Sequence, residues 1–255
     1  MRGTCVALLA LPMVALAAPA APDPVRQCMS ANLPQTLRVQ EFEVTTWDRA
    51  GQERVMKGRL FGARADDRRQ LMARVEHPGD LAGTAFLVRD AGKGTEMYVY
   101  LPGVNRVKRL AGSHMHGKLW GTDFSYNEFR HVAEAFSDGQ VLVAPAAPHQ
   151  GRAVHDVTLT PAAGAQEPYD KIRVLVDAQS CVPLQAEFRK GPRTRKVLTV
   201  PPESLRQAGG HWYAGELVLR DIVAGTRTRL RVLGVTPGLR LSKGHFHPQQ
   251  FHAVH

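Results

Sequence analysis

The sequence is poor in cysteine, in acidic residues and in long apolar runs. Its 255 residues hold three cysteines and no CxxC pair, so a dithiol redox centre has no support. No GxSxG, HExxH, P-loop or GxGxxG pattern occurs, and the clusters Gly92-Lys93-Gly94-Thr95 and Gly112-Ser113 lack the required spacing. Those enzyme classes therefore lose their local signatures, although catalytic groups can still assemble from distant strands. No catalytic residue, metal or cofactor is assigned. Beyond the first residues, no apolar stretch approaches the roughly 20 residues that span hydrocarbon.

What is present begins with Met1-Arg2, an uncharged apolar run from Cys5 to Leu16, and a small-x-small step at Ala15-Leu16-Ala17. This is the pattern of a secretory signal peptide over residues 1–17, cleaved near Ala17. The run is about a dozen residues long and broken by Pro12, too short for a membrane anchor. The mature chain, 18–255, is expected to form one domain, since about 235 residues bury roughly 70–75% of their unfolded surface in one core. Cys28 and Cys181 survive export, and an even pair in an oxidising compartment reads as one disulfide. Lysine and arginine outnumber aspartate and glutamate by 33 to 23, a formal net charge of +10 from which only Arg2 leaves with the leader. Outside the cytosol such a chain meets anionic membrane lipids rather than nucleic acid. Solvated strand faces account for the same charges.

Asp23-Pro24 reads as a helix cap with proline at the first helical position, opening a short helix over Val25 to Asn32. From Thr36 the pattern becomes period-two, with a phase slip near Gln40-Glu41 that predicts a bulge. Strands are predicted there and at Glu53 to Ala63, Gln70 to His77, Ala85 to Arg89, Glu96 to Leu101 and Val104 to Leu110. More follow at Ala153 to Thr160, Tyr169 to Asp177, Pro183 to Arg189, Lys196 to Val200, Trp212 to Asp221 and Thr226 to Leu233. Such a run of strands with short turns points to an antiparallel sandwich or barrel. One interruption is helical: Ser125-Tyr126-Asn127-Glu128 fits a capping box, and Phe129, Val132, Ala133 and Phe136 recur at helical spacing until Gly139.

That helix must lay its apolar stripe against the sheet. The layer between them is either a packed core or a container for an apolar ligand, and periodicity does not choose. His114-x-His116 and His245-x-His247, the latter near His252 and His255, are the most ligand-like pairs, because alternate residues of a strand share a face. For the C-terminal group a solvated tail is the plainer reading. The basic runs Arg106-Val107-Lys108-Arg109 and Arg189 to Lys196 read as contacts for anionic groups, or as a charged edge strand and a charged hairpin tip.

The stretch EMYVYLPGVNRVKRLAGSHMHGKLWGTDFSYNEFRHV, Glu96 to Val132, resembles the outer membrane lipoprotein-sorting (LolA-like) family of periplasmic proteins. Tyr98 to Pro102, Arg106 to Leu110 and Gly121 to Tyr126 carry the match in order. Fainter similarity runs through Cys28 with Asn32-Leu33-Pro34, His77 to Asp80 with Gly83-Thr84, and Cys181 to Leu184 with Glu187-Phe188; the histidines after Lys243-Gly244 depart from it. The resemblance implies a mainly β fold with a few helices: an unclosed antiparallel β-barrel, LolA/LolB-like, whose helices cover the concave face. It implies a periplasmic, non-enzymatic carrier that holds a lipid or lipoprotein acyl group and moves it between an inner-membrane exporter and the outer membrane. The positive charge adds an expectation of transient contact with anionic membranes, and a monomer is expected. A lipid-sensing or scaffold domain that binds a membrane protein is the alternative. Trp120, Phe124, Phe129, Val132 and Phe136 are the expected lid contacts, with Met97, Val99 and Leu101 completing the ligand-binding set.

Overall fold

The computed structural model describes residues 24–65, 68–92, 94–133, 136, 139–162 and 167–254; the expected leader, 1–17, lies outside them. Two helices are described, α1 (Pro24–Ala31) and α2 (Tyr126–Ala133). The strands run β1 (Leu37–Trp47), β2 (Glu53–Ala65), β3 (Arg68–His77), β4 (Ala85–Asp90), β5 (Thr95–Leu101), β6 (Arg106–Leu110), β7 (Gln140–Pro145) and β8 (Val154–Thr160). They continue as β9 (Lys171–Asp177), β10 (Pro183–Lys190), β11 (Arg193–Thr199), β12 (Leu205–Ala208), β13 (His211–Ala214), β14 (Glu216–Asp221) and β15 (Thr226–Leu239).

Among the described residues thirteen strands form one antiparallel sheet in the order β6-β5-β4-β3-β2-β1-β15-β14-β11-β10-β9-β8-β7, and β12 pairs with β13 in a separate two-stranded sheet. Most neighbours are consecutive in the chain, as short turns require. β6 and β7 lie at opposite ends of the order, so the sheet is not closed. That topology has a consequence for the segment between them. It must travel from one edge of the sheet to the other, and it carries α2 across the inward face.

The predicted bulge is present: β1 slips register against β15 between Glu41 and Phe42, and again between Leu37 and Val39. β2 lies close against β3, where a Cβ on Gly58 would stand 2.1 Å from the Arg74 carbonyl oxygen, so only glycine fits that approach. Two strands escaped the sequence reading, β7 and β12. The segment read as one strand from Trp212 to Asp221 divides at Gly215, where pairing changes partner: its N–H donates 2.8 Å to the Ser204 carbonyl beside β12, and its carbonyl accepts 2.8 Å from the Val232 N–H of β15. Val104 belongs to a 3-10 turn, Pro102–Val104, not to β6.

The inward face joins residues from both halves of the sheet. Phe86, Val88, Met97 and Val99 belong to the same apolar cluster as Val157, Ile172, Val174, Leu184, Ala186 and Leu219, with Met29 from α1 and Leu119, Phe124 and Ala133 from the crossing segment. Over β1 to β4 the other face is covered too. Leu37, Phe61, Ala63, Met72, Ala85 and Leu87 pack against Phe246 and Phe251 from the C-terminal segment. The solvated tail expected from sequence is therefore corrected: Phe251 is fully buried, His245 is buried, and Arg74 donates to the carbonyls of Phe251 (3.3 Å) and His252 (2.6 Å). His252 stacks on Tyr100 at 3.9 Å between ring centroids. Apolar residues at Phe246 and Phe251 drive this docking by removing their surface from water. His255 lies outside the described residues.

Candidate functional site

The crossing segment is held by a buried polar network. Ser125 caps α2, its Oγ accepting from the N–H groups of Asn127 (3.2 Å) and Glu128 (3.4 Å), and Glu128 accepts in return from the Ser125 N–H. This is the predicted capping box. Glu128 also accepts from the Tyr169 hydroxyl and, at 3.1 Å, from Lys196 Nζ of β11. Burial, and then the Glu128 charge, push the Tyr169 phenol far above its ordinary pKa, so it remains a donor. Arg130 Nη2 meets Glu167 at 2.9 Å, Asn127 donates to the same carboxylate, and His131 Nε2 lies 3.1 Å from it. Upstream, Asp123 accepts from Thr226 and, at 2.7 Å, from Thr228 of β15.

The helix thus buries its polar side. Asn127, Glu128, Arg130 and His131 are all buried, whereas Val132 is 37% exposed and Phe129 is half-buried. α2 also ends earlier than predicted. Phe136 is not on the helical stripe but has a left-handed backbone (φ +54°), donates from its N–H to the His131 carbonyl, and is fully buried.

α1 supplies the other part of the cover. Cys28 and Cys181 form the expected disulfide, with Cα atoms 5.7 Å apart and a sequence separation of 153. At the helix end, Asn32 donates from Nδ2 to the Ser180 carbonyl (2.7 Å) and accepts from the Trp212 N–H (3.0 Å). An eight-residue helix is too short to persist alone in water, so these ties keep it on the sheet.

Between cover and sheet the apolar layer is not filled. A cavity of about 250 Å³ is walled by Phe42, Val44, Met56, Leu60, Leu71 and Ala73 of β1 to β3, by Leu217, Leu230 and Val232 of β14 and β15, and by Met29, Leu119, Trp120, Phe124, Phe129 and Val132 of the cover. A second, about 180 Å³, continues past Met29 and Val132 to Phe136, Cys181, Leu198 and Trp212. Seven residues line both: Met29, Asn32, Arg38, Arg69, Val132, Ala214 and Leu217. Taken together the two spaces fall within the roughly 300–1,000 Å³ of small-ligand cavities.

Of the expected ligand-binding residues, Trp120, Phe124, Phe129 and Val132 line the larger cavity and Phe136 the smaller. Trp120 and Phe129 pack against apolar clusters on both sides of it. Met97 and Val99 are buried in the core and Leu101 is exposed at the end of β5; none of the three lines either cavity. The sheet half of the wall was missed, because Phe42, Val44, Leu230 and Val232 carry only the alternation that any half-buried strand shows. Arg38 and Arg69 were missed as well. Nothing in the sequence distinguishes them from the other arginines.

The histidine pairs are arranged otherwise than a shared strand face would require. His114 and His116 are exposed in a 3-10 turn, Gly112–His116, while His245 is buried and His247 exposed. Among the described residues no cluster of three or more His, Cys, Asp or Glu side chains is placed to hold a metal. The run Arg106 to Arg109 does lie on an edge strand, β6, and Arg189 to Lys196 does enclose a hairpin turn between β10 and β11.

A model for a family described as "Uncharacterized protein" matches residues 67–253. No curated protein matches the chain. Among solved structures, a domain described as an outer membrane lipoprotein-sorting protein from Vibrio parahaemolyticus is similar over 89% of this chain and 97% of its own, with 21% identity and a TM-score of 0.79. A DUF1329 family protein from Desulfovibrio piger matches over 88% and 94% with 18% identity and a TM-score of 0.78. A LolA superfamily protein from Nitrosomonas europaea matches over 88% and 96% with 15% identity and a TM-score of 0.66. The chain belongs to the family whose model matches residues 67–253, and its unclosed antiparallel sheet with a helical cover is the fold of these LolA-like structures.

Proposed function

We propose that this protein is a periplasmic carrier which takes up an acyl chain of a lipid or lipoprotein in the cavity beneath α2 and moves it between an inner-membrane exporter and the outer membrane. The observation that carries the reading is the unfilled apolar space between the sheet and a cover fixed at both ends. A 16-carbon chain exposed to water costs roughly 12 kcal/mol at about 0.8 kcal/mol per methylene. A carrier must hide that surface and release it without bond chemistry, which an apolar wall achieves. The apparent signal peptide, the positive net charge and the lipoprotein-sorting description of one structural neighbour support the same reading. Trp120, Phe124, Phe129 and Val132 serve as the cover side of the acyl site. In this reading residues 18–255 act as one domain and as a monomer.

The test is transfer of a fluorescent acyl lipid between donor and acceptor vesicles. The protein is expected to accelerate exchange in proportion to its concentration. Tight binding with no acceleration would refute carriage and favour a lipid-sensing domain instead.

A further inference from the structure

Among the described residues, the cavity wall carries arginines but no aspartate or glutamate, and Arg38 of β1 lines both spaces while only 8% exposed. Its Nη1 donates 3.0 Å to the Asn32 carbonyl at the end of α1, and its guanidinium lies 6.0 Å from the centre of the Tyr213 ring. Its Nε has no acceptor, and among the described residues no carboxylate pairs with it. A second donor of the same wall, Trp120 Nε1, is buried and also lacks an acceptor. Arg69, from β3, lines both spaces beside Arg38. A guanidinium held out of water without a counter-ion is costly, and one aimed into a cavity is relieved by an anion that enters it.

We propose that the junction of the two cavities binds the carboxylate of a single-chain fatty acid, with Arg38 as its counter-ion and the chain lying along the apolar wall. The inference rests on the carrier reading and narrows its cargo: an anionic amphiphile in place of an uncharged acylated terminus. A guanidinium matches a carboxylate with paired N–H donors. Acyl contacts with Phe42, Leu217, Leu230 and Val232 add affinity that does not depend on the head.

A purely structural Arg38, bracing α1 through the Asn32 carbonyl, makes a different prediction. It would affect all ligands alike. The experiment therefore compares hexadecanoate with hexadecan-1-ol, by calorimetry on the mature protein at about pH 8, where the acid is ionised. The wild type is expected to prefer hexadecanoate by about tenfold or more, the value of hydrogen bonds to a charged group. Arg38→Met should remove that preference while leaving hexadecanol affinity within about twofold, and Arg38→Lys should retain part of it. Equal affinity of the wild type for both ligands, or equal weakening of both by Arg38→Met, would overturn the proposal while leaving the carrier reading standing. If inorganic phosphate alone binds as tightly as hexadecanoate in an Arg38-dependent way, the site serves free anions and the proposal fails. If neither long-chain ligand binds the wild type, the carrier reading fails with it. Should Arg38→Met not fold, the wild-type preference and Arg38→Lys decide.

Discussion

Removing Glu128 tests whether α2 is a clamped cover or a loosely laid lid. The Glu128→Ala change deletes the acceptor for three donors at once: the Ser125 N–H, the Tyr169 hydroxyl and Lys196 Nζ. Lys196 keeps one partner, the Asp123 carbonyl at 2.7 Å, so its ammonium is not wholly abandoned. Breaking a buried ion pair from one side costs about 3–5 kcal/mol, and loss of a helix cap about 1 kcal/mol more. With the surviving Asp123 contact as an offset, a loss of about 4 kcal/mol is expected. Urea unfolding followed by circular dichroism measures the total, and hydrogen exchange over residues 123–133 shows where it falls. The control is Glu128→Leu with Lys196→Met, which removes both charges and should recover at least about 1 kcal/mol relative to Glu128→Leu alone. A loss under about 1 kcal/mol, or a cycle with no coupling, would refute the argument that these charges hold the cover.

Three further outcomes follow from the same geometry. Phe129→Asp puts a carboxylate on a half-buried cavity wall and should abolish retention of a bound fluorescent fatty acid with folding near normal, whereas Phe136→Asp buries a charge at a fully enclosed position and should lower stability by about 3–5 kcal/mol; normal retention by Phe129→Asp would exclude that residue from the site. Reducing the Cys28–Cys181 bond opens a loop of more than 150 residues, worth about 5 kcal/mol on the chain-entropy estimate. Urea unfolding with and without dithiothreitol checks this, an unchanged midpoint being the contrary result. Burial, reinforced by the nearby Arg74 charge and opposed at His245 by Ser242, holds the pKa values of His245 and His252 below the ordinary histidine range. The folded state then binds fewer protons than the unfolded one. Stability contributed by these neutral rings is present above about pH 6.5 and declines as pH falls through that value toward their lower folded pKa values. Hydrogen exchange over residues 241–254 should accelerate between neutral pH and pH 5 after correction for intrinsic rates, and Phe251→Ala should remove most of that dependence.

The sequence by itself determined the elements whose signals are local. Alternation in β1 and β15, the capping box at Ser125 and Glu128, and the bulge near Glu41 all arise from neighbours a few residues apart, where sterics and hydrogen bonding act without help from the rest of the chain. The cysteine pair was legible too, because only two thiols remain once the leader is set aside.

Tertiary structure decided what those elements face. α2 looked amphipathic with its apolar stripe inward, and Phe129 and Val132 do face the cavity, but Lys196, Tyr169 and Glu167, far along the chain, bury its charged side as well by pairing with it. The histidine-rich ending looked solvated until Phe246 and Phe251 found an apolar patch on the outer face of the sheet. Whether the inner layer is solid or hollow was undecidable from periodicity, since a strand residue alternates in the same way against a core or a cavity. Only the path of the chain from β6 to β7, spanning an open sheet, left room beneath it for the cavities that Arg38 lines.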